Sequence, residues 1–86
     1  MKDLERIYKA FANRRRLAMV SYLKKNREAT VGAIAAKINL SFKATSKHLG
    51  LLAAANILDK EQRGLEMYYR IAPNLHSHAK NVISLL

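Results

Sequence analysis

Thr30-Val31-Gly32-Ala33-Ile34-Ala35-Ala36-Lys37-Ile38-Asn39-Leu40-Ser41-Phe42-Lys43-Ala44-Thr45-Ser46-Lys47-His48-Leu49-Gly50-Leu51-Leu52 is the stretch that decides the fold. Ile34, Ala35 and Ile38 make the buried stripe of a short helix over Val31 to Ile38, with Thr30 as its N-cap. Asn39 follows, a residue type that tolerates a left-handed backbone and so ends a helix, and Leu40 packs the turn. Ser41 caps a longer helix running to about Ala55, on which Thr45, Leu49 and Leu52 face one way. Phe42, Lys43, Ser46 and Lys47 lie largely on its other side. Short helix, tight turn, and second helix with a polar outer face make a helix-turn-helix.

Upstream, Leu4, Ile7, Tyr8 and Phe11 recur at helical spacing and predict a helix from about Asp3 to Ala12. Asn13 then caps a helix from Arg14 to Lys25. Leu17, Val20, Tyr22 and Leu23 supply most of its apolar surface, with Met19 as filler. Asn26 to Ala29 is polar and reads as a loop. Downstream the period drops to two. Ile57-Leu58 lead into Asp59-Lys60-Glu61-Gln62-Arg63, Gly64-Leu65 turn the chain, and Glu66-Met67-Tyr68-Tyr69-Arg70-Ile71 returns. Pro73 stops the second strand, and Leu75 to Leu86 reads as a last helix. The expected architecture is mainly α with a β-hairpin, in the order ααααββα, as a single domain over 1–86.

Charge bounds the partner. Sixteen Lys and Arg against six Asp and Glu give +10 at pH 7. A chain of 86 residues with that imbalance carries a positive field over much of its surface, which favours a polyanion, nucleic acid before an anionic membrane. The basic residues are spread along the chain, which disfavours a membrane-surface role. No apolar run approaches a membrane span, and Met1-Lys2-Asp3-Leu4-Glu5 enters the first amphipathic pattern without a leader's apolar stretch, so a cytoplasmic protein is expected. Half the residues are apolar, which excludes disorder. Cysteine is absent, which excludes disulfides, thiolate metal sites and thiol redox chemistry. The acids form no convincing pair, and there is neither a glycine-rich phosphate loop nor a Ser-His-Asp pattern. An enzyme is not expected, nor a cofactor.

A helix fits the major groove, where each base pair presents a distinct donor and acceptor pattern. The N-terminal half of such a helix enters deepest. Here that half carries Ser41, Phe42, Lys43, Ser46, Lys47 and His48. Lysine can donate to guanine O6 and N7, and serine can donate or accept. Phe42 has two readings, packing on a thymine methyl or tucking against a neighbouring helix. His48 also has two, a phosphate or base-edge contact or a structural place at the core margin. In the hairpin, Lys60, Arg63 and Arg70 are candidate contacts to the groove edge or phosphate, although Asp59, Glu61 and Glu66 balance them. Arg14, Arg15 and Arg16 open the second helix against its dipole, so each needs compensation. Phosphate is expected for Arg14 or Arg15 and a structural partner for Arg16.

The chain resembles the ArsR-type (ArsR/SmtB-like) winged helix-turn-helix regulators. The resemblance begins at Tyr8-Lys9-Ala10-Phe11-Ala12-Asn13 and Arg16-Leu17, and runs through Thr30-Val31-Gly32 and Leu40-Ser41. It continues with Ser46-Lys47-His48-Leu49 and Leu51-Leu52, and closes with Arg63-Gly64 and Tyr68-Tyr69-Arg70-Ile71. It implies a winged helix-turn-helix homodimer binding double-stranded DNA at an imperfect inverted repeat, usually as a repressor. It also implies base contacts on Phe42, Lys43, Ser46 and Lys47 and a dimer interface on the first and last helices. Leu4, Tyr8, Phe11, Val82, Ile83, Leu85 and Leu86 are the apolar candidates for that interface, the alternative being that they close the monomer core. The family's cysteine metal-sensing motif is missing. His76 and His78, two apart, do not share a helix face, so a metal effector is not expected. Phe42, Gly50, Ala53 and Ala54 stand where the family more often has polar residues. An architectural binder without sequence preference and a winged-helix protein-interaction module are the competing functions.

Overall fold

The computed structural model describes residues 1–86. Five helices and three strands follow in the order α1 (Lys2–Phe11), α2 (Arg14–Asn26), β1 (Glu28–Thr30), α3 (Val31–Ile38), α4 (Phe42–Ala54), β2 (Leu58–Arg63), β3 (Glu66–Ile71) and α5 (Ser77–Ser84). Local chemistry sets the boundaries. Asn13, in extended conformation, accepts from the backbone N–H of Arg15 and Arg16 at 3.0 and 3.1 Å and starts α2. Thr30 accepts from Ala33 N–H and Ser41 from Ala44 N–H, both at 3.1 Å, and start α3 and α4. Asn39, at φ 61° and ψ 52°, makes the left-handed turn between them, after which Leu40 N–H donates to Ala35 C=O at 3.0 Å. Asn56, also at φ 61°, turns the chain out of α4. The hairpin reverses at Gly64-Leu65, with φ +61° at Gly64, the first central position, where a II′ turn requires it.

The expected order gains one element. Residues 26–29 read as a polar loop, but Glu28–Thr30 is a strand, giving a three-stranded antiparallel sheet in the order β1-β3-β2. Ala29 lies opposite Tyr69, and Glu28 and Thr30 lie opposite Arg70 and Tyr68. Three residues with one buried side chain carry no visible period, and the free edge of β3 is what makes them a strand. The last helix is also shorter than expected. Its N-cap is His76, whose Nδ1 accepts from His78 N–H at 3.2 Å, and Leu75 stays outside it, packed against the core.

α2 packs against every other helix and against β1 and β3. Its inward face is Met19, Val20 and Leu23, all sealed from solvent, while Leu17 and Tyr22 are only partly buried. Met19 is therefore a central core residue and not filler; the surrounding elements approach α2 on the side that Met19 occupies. Ile34, Leu49, Leu52 and Ile57 complete the sealed centre. Each such side chain contributes about 1.5–3 kcal/mol of burial free energy. At the far end of the molecule, Lys24 Nζ donates to the Ile83 carbonyl at 3.0 Å and so caps the end of α5 with a cation.

Candidate nucleic-acid interface

α4 is seated by its inner face and open on its outer one. Thr45, Leu49 and Leu52, at i, i+4 and i+7, are fully buried against the core. Outward, Phe42 is 63% exposed and Leu51 47%. Ser41, Lys43 and Lys47 are exposed, while Ser46 and His48 are half-buried. Neither Lys43 nor Lys47 makes a hydrogen bond or an ion pair within the chain. At that exposure the Phe42 ring is not tucked against a neighbouring helix, which removes that one of its two readings. On the inner face, Thr45 Oγ1 is buried without a hydrogen-bond partner.

Behind α4 the start of α2 carries three arginines with two different fates. Arg14 and Arg15 are exposed and their guanidiniums are uncommitted. Arg16 turns back. Its Nε donates to Ala10 C=O at 2.7 Å and its Nη2 to Lys9 C=O at 3.3 Å, capping the end of α1. Its Nη1 lies 3.1 Å from His48 Nδ1. A guanidinium has only donors, so Nδ1 is the acceptor and carries no proton. His48 is thus a neutral imidazole whose remaining proton sits on Nε2. Burial, and then the positive charges of Arg16, Arg15 and Lys47, hold its pKa below the ordinary histidine value, in the same direction. Arg16 has the structural partner expected of it, in the carbonyl oxygens of Ala10 and Lys9 and in His48. Glu5 pairs with Lys9 at 3.6 Å.

The hairpin behaves differently. Arg63 donates through Nη1 and Nη2 to the two carboxylate oxygens of Glu28 at 2.8 and 2.9 Å, and again to Glu61 at 3.0 Å. Arg70 Nη1 donates to the same Glu61 oxygen at 3.0 Å and lies 3.9 Å from Glu28. The Arg63 guanidinium also sits 4.3 Å from the Tyr68 ring centroid, within cation–π range. The two arginines hold Glu61 at a pKa of about 2 and lower that of Glu28, while the carboxylates raise that of Arg63. Of the three hairpin cations expected to meet DNA, Arg63 and Arg70 are spent on carboxylates and only Lys60 is exposed and unpaired. Glu28 had no place in the sequence reading, because its strand was not visible. Glu61 had one available signal: it stands two residues from Arg63, on the same face of β2.

The apolar surface of α1 and α5 is narrower than expected. Phe11 and Ile83, named as interface candidates, are 4% and 7% exposed and belong to the monomer's own core. They point inward because α1 and α5 both close over α2. Leu85 is 80% and Tyr8 45% exposed; Leu4, Val82 and Leu86 are half-buried. Tyr8 OH is 2.9 Å from His78 Nδ1, and the two rings meet edge-on, which ties α1 to α5. His76 and His78 thus have their Nδ1 atoms engaged by protein partners, and no group of three or more His, Asp or Glu is placed to hold a metal ion. No helix is long and apolar enough to cross a membrane.

Comparison with known proteins gives the same architecture. No protein-family model and no curated protein matches the sequence. Solved structures do. The transcriptional regulator HlyU from Vibrio vulnificus is 32% identical, with 95% of this chain and 81% of that one covered and a TM-score of 0.77. A homodimeric winged helix-turn-helix DNA-binding domain from Mycobacterium bovis is 28% identical over 98% of this chain and 74% of that one, with a TM-score of 0.83. The transcriptional repressor PagR of Bacillus anthracis is 27% identical over 98% of this chain and 92% of that one, with a TM-score of 0.79. Fold, the uncommitted helix-turn-helix face and these likenesses agree: the chain belongs to the ArsR/SmtB-like family of winged helix-turn-helix, DNA-binding transcriptional regulators, without that family's cysteine metal-sensing motif.

Proposed function

We propose that the protein is a sequence-specific repressor that binds an inverted-repeat operator as a homodimer, with α4 in the major groove. One observation carries this reading. α4 is anchored by three buried residues, yet Phe42, Lys43 and Lys47 face solvent with no internal partner. A side chain not spent on an internal bond gives up no protein contact on meeting a base edge, so the cost is the ordering of the side chain itself, about 0.5–1.5 kcal/mol for a lysine. Phe42, Lys43, Ser46 and Lys47 are the base-reading set, with Ser41 at the groove entrance. The exposed Arg14, Arg15 and Lys60 meet phosphate, and His48 donates to phosphate through Nε2–H.

Dimerisation uses Leu85, Tyr8 and Leu4, with Val82 and Leu86 at the edges. An 86-residue chain with a small core gains apolar burial by pairing that surface. Two-fold symmetry then sets the two α4 helices about 34–36 Å apart, one turn of B-DNA. The homodimeric state described for the Mycobacterium bovis domain and the repressor activity described for PagR support this reading.

The test is fluorescence anisotropy at near-physiological salt, comparing the region upstream of the protein's own gene with a scrambled duplex. A preference of roughly a thousandfold or more is the expected result for a specific regulator. Equal, salt-sensitive binding to both, repeated across other promoter fragments, would replace the operator reading with an architectural one. No binding to any duplex would turn the exposed Phe42 toward a protein partner.

A further inference from the structure

We propose that Glu28 and Glu61 stand in for DNA phosphate, holding the Arg63 and Arg70 guanidiniums inside the sheet, so that the affinity of the hairpin for a duplex is set by these two acids. The inference rests on DNA binding by this face of the protein and concerns how much of it the hairpin supplies.

The charge distribution is the first support. The hairpin from Leu58 to Ile71 holds three acids (Asp59, Glu61, Glu66) and three bases (Lys60, Arg63, Arg70). It is neutral, so the whole of the +10 excess lies on the rest of the chain. A hairpin built to grip phosphate by charge alone would carry part of that excess.

Geometry is the second support. A carboxylate and a phosphate offer a guanidinium the same pair of anionic oxygens, and the paired fork is the strong arrangement for both. Glu28 takes that fork on Arg63 at 2.8 and 2.9 Å, and Glu61 adds a bond at 3.0 Å. The acids come from both strands flanking β3, Glu28 from β1 and Glu61 from β2, and Glu61 reaches Arg70 as well. The Tyr68 ring covers a face of the Arg63 guanidinium. A DNA phosphate that is to take the paired fork of Arg63 must therefore displace a bidentate carboxylate. By contrast, Glu66 lies opposite Arg63 in the strand register and makes no ion pair, so proximity in the hairpin does not by itself create the lock.

The experiment uses the full chain and a labelled scrambled duplex, titrated by anisotropy between about 50 and 200 mM salt. Four variants are compared with wild type: Arg63→Met, Glu28→Gln, the two together, and Glu66→Gln as a charge-matched control. Arg63→Met alone is expected to cause only the small loss that one unit of charge brings, similar in size to the gain of Glu66→Gln, and to leave the salt slope nearly unchanged. Glu28→Gln is expected to tighten binding and to steepen the slope by about 0.9, one released counterion. Adding Arg63→Met should cancel that gain, whereas the smaller gain of Glu66→Gln should survive Arg63→Met. If Glu28→Gln fails to fold by circular dichroism, Glu61→Gln takes its place, and because Glu61 holds both arginines its gain should be cancelled only by Arg63→Met and Arg70→Met together. The proposal is overturned if Arg63→Met alone flattens the slope by about 0.9, because Arg63 would then already be on phosphate. It is equally overturned if the Glu28→Gln gain matches that of Glu66→Gln or persists without Arg63. Absence of duplex binding in every protein, wild type included, would instead remove the DNA-binding premise itself.

Discussion

α4 and the hairpin both carry cations, and the structure treats those cations in opposite ways. Lys43 and Lys47 project from a helix held by buried Thr45, Leu49 and Leu52, and nothing in the chain neutralises them. Arg63 and Arg70 are locked by Glu28 and Glu61 across three strands. The difference follows from the supporting chemistry. A helix of this kind needs only its apolar inner face to be fixed, which leaves its outer face free. A three-stranded sheet with one solvent-facing side is stabilised by cross-strand side-chain pairs on that side, and here several of those side chains are charged. Positive residues in a sequence are therefore not a count of DNA contacts, because the same charge can be held as structure.

The largest expected effect breaks the helix side of this contrast. Leu49 is fully buried beneath α4, so Leu49→Ala should cost about 2–5 kcal/mol. For a domain of this size that is a fall in melting temperature of roughly 10 °C or more. DNA binding should fall with it wherever unfolding is populated. Thermal melts with and without duplex measure both.

Next comes the double variant Lys43→Ala with Lys47→Ala. Both residues are exposed, so the melting temperature should not move, while binding to a selected operator should weaken by at least tenfold, each good base contact being worth about 1–3 kcal/mol. Unchanged affinity would place the reading surface elsewhere. A smaller effect, of opposite sign, is expected at Thr45. Its hydroxyl is buried and unpartnered, so Thr45→Val should stabilise the fold by about 1 kcal/mol without altering the outer face. A loss of stability would mean that the hydroxyl has a partner in solution.

The smallest effect is on pH. The pKa of His48 lies below its ordinary value in the folded chain, so the unfolded chain takes up the proton first as pH falls. The stability tied to neutral His48 is present above about pH 6.5 and is lost as pH falls through the folded pKa. Urea denaturation between pH 7.5 and 5 should show this decline in wild type and a shallower one in His48→Gln. Identical profiles would remove the neutral imidazole from the account.

Much of this was legible in the sequence, and the gaps have physical causes. Thr30, Asn39 and Ser41 act locally, on backbone groups three or four residues away, so α3 and the start of α4 could be read directly from their caps. The helix face with Thr45, Leu49 and Leu52 followed from the 3.6-residue period. β1 did not, because three residues take their strand from a partner some forty positions away. With β1 went Glu28, and with Glu28 the fate of Arg63. Phe11 and Ile83 are apolar residues on helix faces that serve either a core or an interface, and only the packing of α1 and α5 over α2 assigns them to the core. Met19 was undervalued for the same reason, since an amphipathic pattern fixes a face but not how closely its neighbours approach. For Phe42 the sequence left two readings open; its exposure removed one of them.

The proposed function depends on α4 reading bases. Its most direct test is selection of binding sites from a random duplex pool by wild type and by Lys47→Ala, followed by comparison of the preferred sequences. Wild type should select an inverted repeat with half-sites about one helical turn apart, and the variant a preference relaxed at one position of each half-site. If Lys47→Ala instead weakens binding evenly across all sequences, Lys47 touches only the backbone, and if the wild type itself selects no preferred sequence, base reading by α4 is contradicted.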